Sequence, residues 1–121
     1  MMLTPAMKAE VRRARSAASI SRQQGDGQAA WHALVRAHII SQPALKMHLA
    51  VHRDMLSLAV EQRDVREAAG QALRLMLAPL GHVLGLTPWG NSGRSTMNKF
   101  ARAALPEDIV ALYAEAGIKV N

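Results

Sequence analysis

Apolar residues return every three to four positions along most of the chain, and the stretches that keep this spacing predict helices. The first covers residues 5–24, where Met7, Val11, Ala14 and Ala18 share a face and Lys8, Arg12, Arg15 and Arg22 lie mostly opposite. Thr4 is placed to cap it, and Pro5 suits the first helical position. Gly25-Asp26-Gly27 interrupts the pattern, with Asp26 a turn former and glycine free to take positive φ. A second helix, 28–41, puts Trp31, Leu34, Val35 and His38 on one side, with His32 and Arg36 near the other. A third, 43–62, starts at Pro43 and gathers Leu45, Leu49, Met55, Leu56 and Ala59, together with His48 and His52, opposite Lys46, Arg53, Asp54 and Ser57. A fourth, 64–78, has Asp64 as its cap and Glu67 three residues on, the spacing of a reciprocal capping pair. Ala68, Gln71, Ala72 and Leu75 form its inward stripe, Asp64 and Glu67 stand at the top and edge of that stripe, and Arg66 and Arg74 point elsewhere. Residues 79–105 read as a long loop that follows Pro79 and is rich in Gly, Ser, Asn and Thr. A short last helix, 106–116, carries Glu107 and Asp108 in its first turn, where acids favour the dipole, and Gly117 ends it. The expected architecture is all-α, a single domain over 1–121 built as a bundle of four to five helices.

One feature of the pattern is out of place. His38, His48 and His52 fall among the apolar positions, so the predicted core is unusually polar. Burying such groups is costly unless each finds a partner. His48 and His52 are four residues apart on one helix, which stacks the imidazoles on successive turns with Met55 beside them.

Composition narrows the chemistry. Alanine and leucine dominate, and four aromatic residues are present: Trp31, Trp89, Phe100 and Tyr113. That palette suits close-packed helices better than sheet. With no cysteine, a disulfide framework and a thiolate metal site are both excluded, so a metal would be held by nitrogen and oxygen, with a methionine sulfur as a further option. The net charge of +6 sits in residues 1–53, where eight Lys/Arg face only Glu10 and Asp26; residues 54–121 are neutral. A basic front half could meet nucleic acid, but no basic recognition helix, stacking aromatics or zinc-finger pattern accompanies it, so nucleic acid is not the expected partner. The run from Leu73 to Leu86 is short and is broken by Pro79 and Gly81, whereas a membrane span needs about 20 apolar residues. The N-terminus has no apolar secretory segment, and the expected location is the cytoplasm.

Two resemblances add to this. The helix, the Gly-Asp-Gly turn and the following Ala-Trp-x-x-Leu helix resemble a tetratricopeptide-type hairpin, although no 34-residue repeat follows. The blocks LVRAHIISQ (34–42), HLAVHRDML (48–56), RDVREAAGQALR (63–74) and PWGNSGRS (88–95) resemble the bacterial domain-of-unknown-function family 3703, with the spacing intact over roughly residues 20–98. By position, the resemblance points to His38, His48, His52, Asp64, Glu67, Gln71, Gly90, Asn91 and Gly93. The glutamate that the family carries three residues before the first histidine is Val35 here. A Glu-x-x-His pair is the spacing of di-iron carboxylate bundles, so its loss weighs against a carboxylate-bridged dimetal centre.

Two readings of the polar core stay open. In the first, His38, His48 and His52, joined by Glu67, hold one transition metal ion (Zn, Cu or Fe), and Asp64, Gln71 and Asn91 make polar contacts around it or to a small ligand. In the second, the same histidines form a hydrogen-bonded network that sets helix register, and the chain is a helical interaction module with a protein partner or a second copy. Gly90-Asn91-Ser92-Gly93 is neither a phosphate loop nor a nucleophile elbow, so catalysis is not the leading expectation. That block is expected to form tight turns with Asn91 bonding its own backbone; the alternative is a lid over the histidines. His32 and His82 are expected to face solvent or to sit in the loop.

Overall fold

The computed structural model describes residues 3–98 and 101–120, so Phe100 lies outside the described residues. Thr4 Oγ1 accepts from the Met7 amide at 3.2 Å, and Pro5 opens helix α1, Pro5–Gln23. The helix ends where Gly25 turns to φ 74°, which lets the Asp26 amide reach back to the Ser21 carbonyl at 2.8 Å. Asp26 then caps α2, Gly27–Ser41, by accepting from the Ala29 amide at 3.0 Å.

The third helix, α3, spans Leu45–Glu61 and starts two residues after the predicted Pro43. The chain needs those residues to reverse direction: the Ala44 amide closes a turn on the Ser41 carbonyl at 2.9 Å, and Ala44 itself is extended. The exit from α3 repeats the exit from α1. Arg63 takes φ 57° where Gly25 stood, the Asp64 amide reaches Ala59 O at 2.9 Å, and Asp64 caps the next helix through the Glu67 amide at 3.0 Å. That helix, α4, spans Val65–Val83 and runs on through Pro79, past the predicted end at 78. Proline deletes one amide donor there, but the following turn still closes, with Leu86 N on Gly81 O at 2.8 Å. A fifth helix, α5, covers Glu107–Glu115.

The described residues are all-α, with five helices and no strand. Successive helices pack, α1 on α2, α2 on α3 and α3 on α4. The core takes Met7, Val11, Ala14 and Ala18 from α1, Trp31, Leu34, Ala37 and Ile40 from α2, and Val51, Met55, Leu58 and Ala59 from α3. From α5, Ile109 and Tyr113 close it, and the Tyr113 hydroxyl donates to the Ile39 carbonyl at 2.5 Å. Val35 packs half-buried against this core.

Helix α4 differs from the rest. None of its apolar residues is fully buried, and the residues it does bury are Glu67, Gln71 and Arg74. Of the predicted stripe, Gln71 is buried, Ala68 and Leu75 are half-buried, and Ala72 is exposed. Arg74 turns inward rather than away, because Nη2 finds the carbonyls of Arg94 (2.8 Å) and Met97 in the segment that folds back over the helix. The outer side of α4 leaves Leu73, Met76, Leu80 and Val83 exposed. Among the described residues, no helix is long and apolar enough to cross a membrane.

Candidate metal centre

Three imidazoles meet between α2, α3 and the segment after α4. Helix α2 supplies His38 from its last turn, and the first half of α3 supplies His48 and His52 one turn apart. Their Nε2 atoms form a nearly equilateral triangle: 2.9 Å between His48 and His38, 3.1 Å between His38 and His52, and 3.1 Å between His52 and His48. His38 and His52 are buried, and His48 is partly open to a cleft of about 70 Å³.

The outer ring nitrogens explain why the inner ones converge. His38 Nδ1 donates to the Asn91 carbonyl at 2.8 Å, and that oxygen can only accept. His52 Nδ1 donates to Gln71 Oε1 at 2.7 Å. The orientation of the Gln71 amide is fixed by its other end, where Nε2 donates to Gly93 O at 2.8 Å and to Glu67 Oε2 at 3.1 Å. Both histidines therefore carry their proton on Nδ1, and both Nε2 atoms present lone pairs to the same point. With no metal, one proton on His48 Nε2 can be shared between them.

Burial keeps all three rings neutral. Loss of hydration is the largest cause in each case, lowering His48 to about 3 and His52 to about 4 and holding His38 well below its ordinary value. Each ring's positive form is further opposed by a neighbour: the other two histidines for His38, His52 for His48, and Arg74 for His52.

The loop is the fourth wall. Gln42 clamps its start, with Nε2 donating to Pro88 O and Oε1 accepting from the Gly90 amide, each at 2.9 Å. The tight-turn and lid expectations for 90–93 both hold in part. Asn91 Oδ1 accepts from the Gly93 amide at 2.8 Å, and Gly93 lies on the His38 ring so closely that a Cβ there would fall 2.7 Å from Cδ2. Farther along, Arg94 lies 3.9 Å over the Trp31 ring, and its Nε donates to Glu67 Oε1 at 2.8 Å. The Ser95 amide donates to Glu67 Oε2 at 2.8 Å.

The structure thus gathers His38, His48 and His52 into one group that could hold a metal ion. Glu67 stands apart from that group, its oxygens taken by Arg94, Ser95 and Gln71; burial opposes its charge, but these bonds win and hold its carboxyl below the usual value. Its side chain turns to the loop instead of back to the Asp64 amide, so only half of the predicted capping pair forms. Asp64 is an exposed helix cap, Gln71 orients His52, and Asn91 holds His38 through its backbone carbonyl. Three lining residues had no helical-wheel signal: Gln42, Arg74 and His82, the last on α4 rather than in a loop.

The Nε2 atoms of His38, His48 and His52 would hold a metal ion as three neutral nitrogen donors, with the cleft beside His48 giving access to it. A family model described as "Protein of unknown function (DUF3703)" matches residues 2–113. Comparison with curated proteins gives no match, and neither does comparison with solved structures.

Proposed function

The chain belongs to the DUF3703 family, and from that premise we propose that it binds one divalent transition metal ion through Nε2 of His38, His48 and His52. The observation that carries this reading is the convergence of three nitrogens within 3.1 Å while the opposite nitrogens of two rings are committed to carbonyl acceptors. A structural network needs donors facing acceptors, whereas here lone pairs face lone pairs with a single proton to share. Metal-bound histidines typically donate their second nitrogen to a carbonyl or carboxylate in this way. Three neutral imidazoles without thiolate or carboxylate suit Zn²⁺, Cu²⁺ or Fe²⁺. The open side favours an ion that keeps a water or takes a ligand, and Asn91 and Gln71 set the ring orientations.

The test is elemental analysis of tag-free protein after incubation with each of the three ions and desalting. About one equivalent is expected for the wild type, and a loss of most of it in His48→Ala and His52→Ala. A wild type that retains none of the three ions overturns the reading.

A second reading, a helical interaction module with a tetratricopeptide-like first hairpin, draws on the exposed row of Leu73, Met76, Leu80 and Val83 along α4. Self-association would cover that row. Sedimentation over a hundredfold concentration range tests it, and a monomer throughout counts against it.

A further inference from the structure

The cleft that exposes the histidines is also lined by a buried arginine that forms no ion pair among the described residues. Arg74 is 9% exposed and lines the cleft together with His38, His48 and His52. Its Nη2 donates to two neutral carbonyls, Arg94 O and Met97 O. Among the described residues no carboxylate forms an ion pair with it. The one buried acid, Glu67, is already engaged by Arg94, Ser95 and Gln71. Nε and Nη1 of Arg74 make no hydrogen bond among the described residues, and neither is sealed from solvent.

A buried guanidinium is ordinarily paired, because an isolated charge in a low dielectric is expensive. Loading the three neutral rings with a divalent ion would put two more positive charges beside it. Glu67 is close enough to act on Arg74 electrostatically, but its oxygens are already held by Arg94, Ser95 and Gln71, which leaves the added charge without a partner of its own.

We propose that the open side of the centre takes a small carboxylate, bound by the metal ion on one side and by the Arg74 guanidinium on the other; this rests on the metal reading above. Arginine offers a planar fork of donors that matches a carboxylate, and the metal accepts an oxygen directly. The cleft has room for several water-sized groups, and Leu77, Ala78, Leu86 and Pro88 give it an apolar wall for a short hydrocarbon tail. Thr87 adds a polar group to the lining.

Co²⁺ serves as the probe, since its visible bands report the ligands of the ion. Protein loaded with Co²⁺ is titrated with acetate and, separately, with the neutral isostere acetamide. A saturable band shift is expected with acetate and none with acetamide at the same concentrations. Arg74→Met is expected to weaken acetate by about tenfold or more while Co²⁺ stoichiometry holds, and Arg74→Lys to recover part of the loss. Bands that do not respond to acetate up to about 100 mM overturn the proposal and leave the metal reading standing. So does acetamide acting as well as acetate, or Arg74→Met binding acetate like the wild type. Should Arg74→Met fail to fold or to load, the acetate–acetamide contrast and Arg74→Lys decide. No uptake of Co²⁺, Zn²⁺, Cu²⁺ or Fe²⁺ removes both proposals together.

Discussion

At position 93 a single methyl group would meet the His38 ring at 2.7–2.9 Å, on a backbone already at φ 82°. Both effects oppose any side chain there. Gly93→Ala is therefore expected to lower stability by about 1–3 kcal/mol and to weaken metal binding at least tenfold by turning His38; denaturant melts and metal titration read the two effects separately. The histidines themselves make stability depend on pH. Their folded values lie below the ordinary 6.5, at about 3 for His48 and about 4 for His52, so the unfolded chain binds more protons between those values and 6.5. Stability is then fully present above pH 6.5 and falls as pH drops toward 4, by up to about 1.4 kcal/mol per pH unit for each histidine. Urea melts of metal-free protein at pH 7, 6 and 5 check this; a flat profile would falsify the buried-neutral assignment. Much of this centre is legible in the chain, because His38, His48, His52 and Gln71 sit at inward helical positions. Arg74 is not, since what draws it inward is a pair of backbone carbonyls 20 and 23 residues away.

Among the elements, the two connections α1–α2 and α3–α4 are built alike, Gln24-Gly25-Asp26 and Gln62-Arg63-Asp64, each a left-handed residue followed by an aspartate cap. The second places arginine where glycine would be unstrained. Arg63→Gly is expected to raise stability by about 0.5–1 kcal/mol, visible as a higher melting temperature with no change at the histidines. Helix positions and caps follow from 3.6-residue periodicity and Asp/Thr placement, which is why α1 and α2 fall within a residue or so of expectation. The boundaries that moved, Pro43 and Pro79, are ones where proline chemistry allows more than one outcome. The segment from 84 to 98 has no period to read, so its return over α4 is invisible until Gln42, Glu67, Gln71 and Arg74 are seen holding its backbone.

For the whole molecule, the uneven charge along the chain is matched in part once the chain folds. Arg15 pairs with Asp54 (2.6 Å), Arg22 with Glu61, and Arg36 with Asp108 (2.6 Å), so acids of the neutral half meet arginines of the basic half. These partly exposed pairs add little stability each. The fully buried apolar core, by contrast, is shared by α1, α2, α3 and α5, while α4 packs Ala68 against its edge and buries Glu67, Gln71 and Arg74. Amide exchange in metal-free protein should therefore be faster along α4 and residues 91–97 than in α1–α3, and added metal should slow it there first; uniform protection across all helices would contradict this. A helix moored by polar ties can swing away without breaching the hydrocarbon interior. If the three histidines hold an ion, its dwell time would follow how often that mooring slips, and exchange would proceed with the rest of the protein folded.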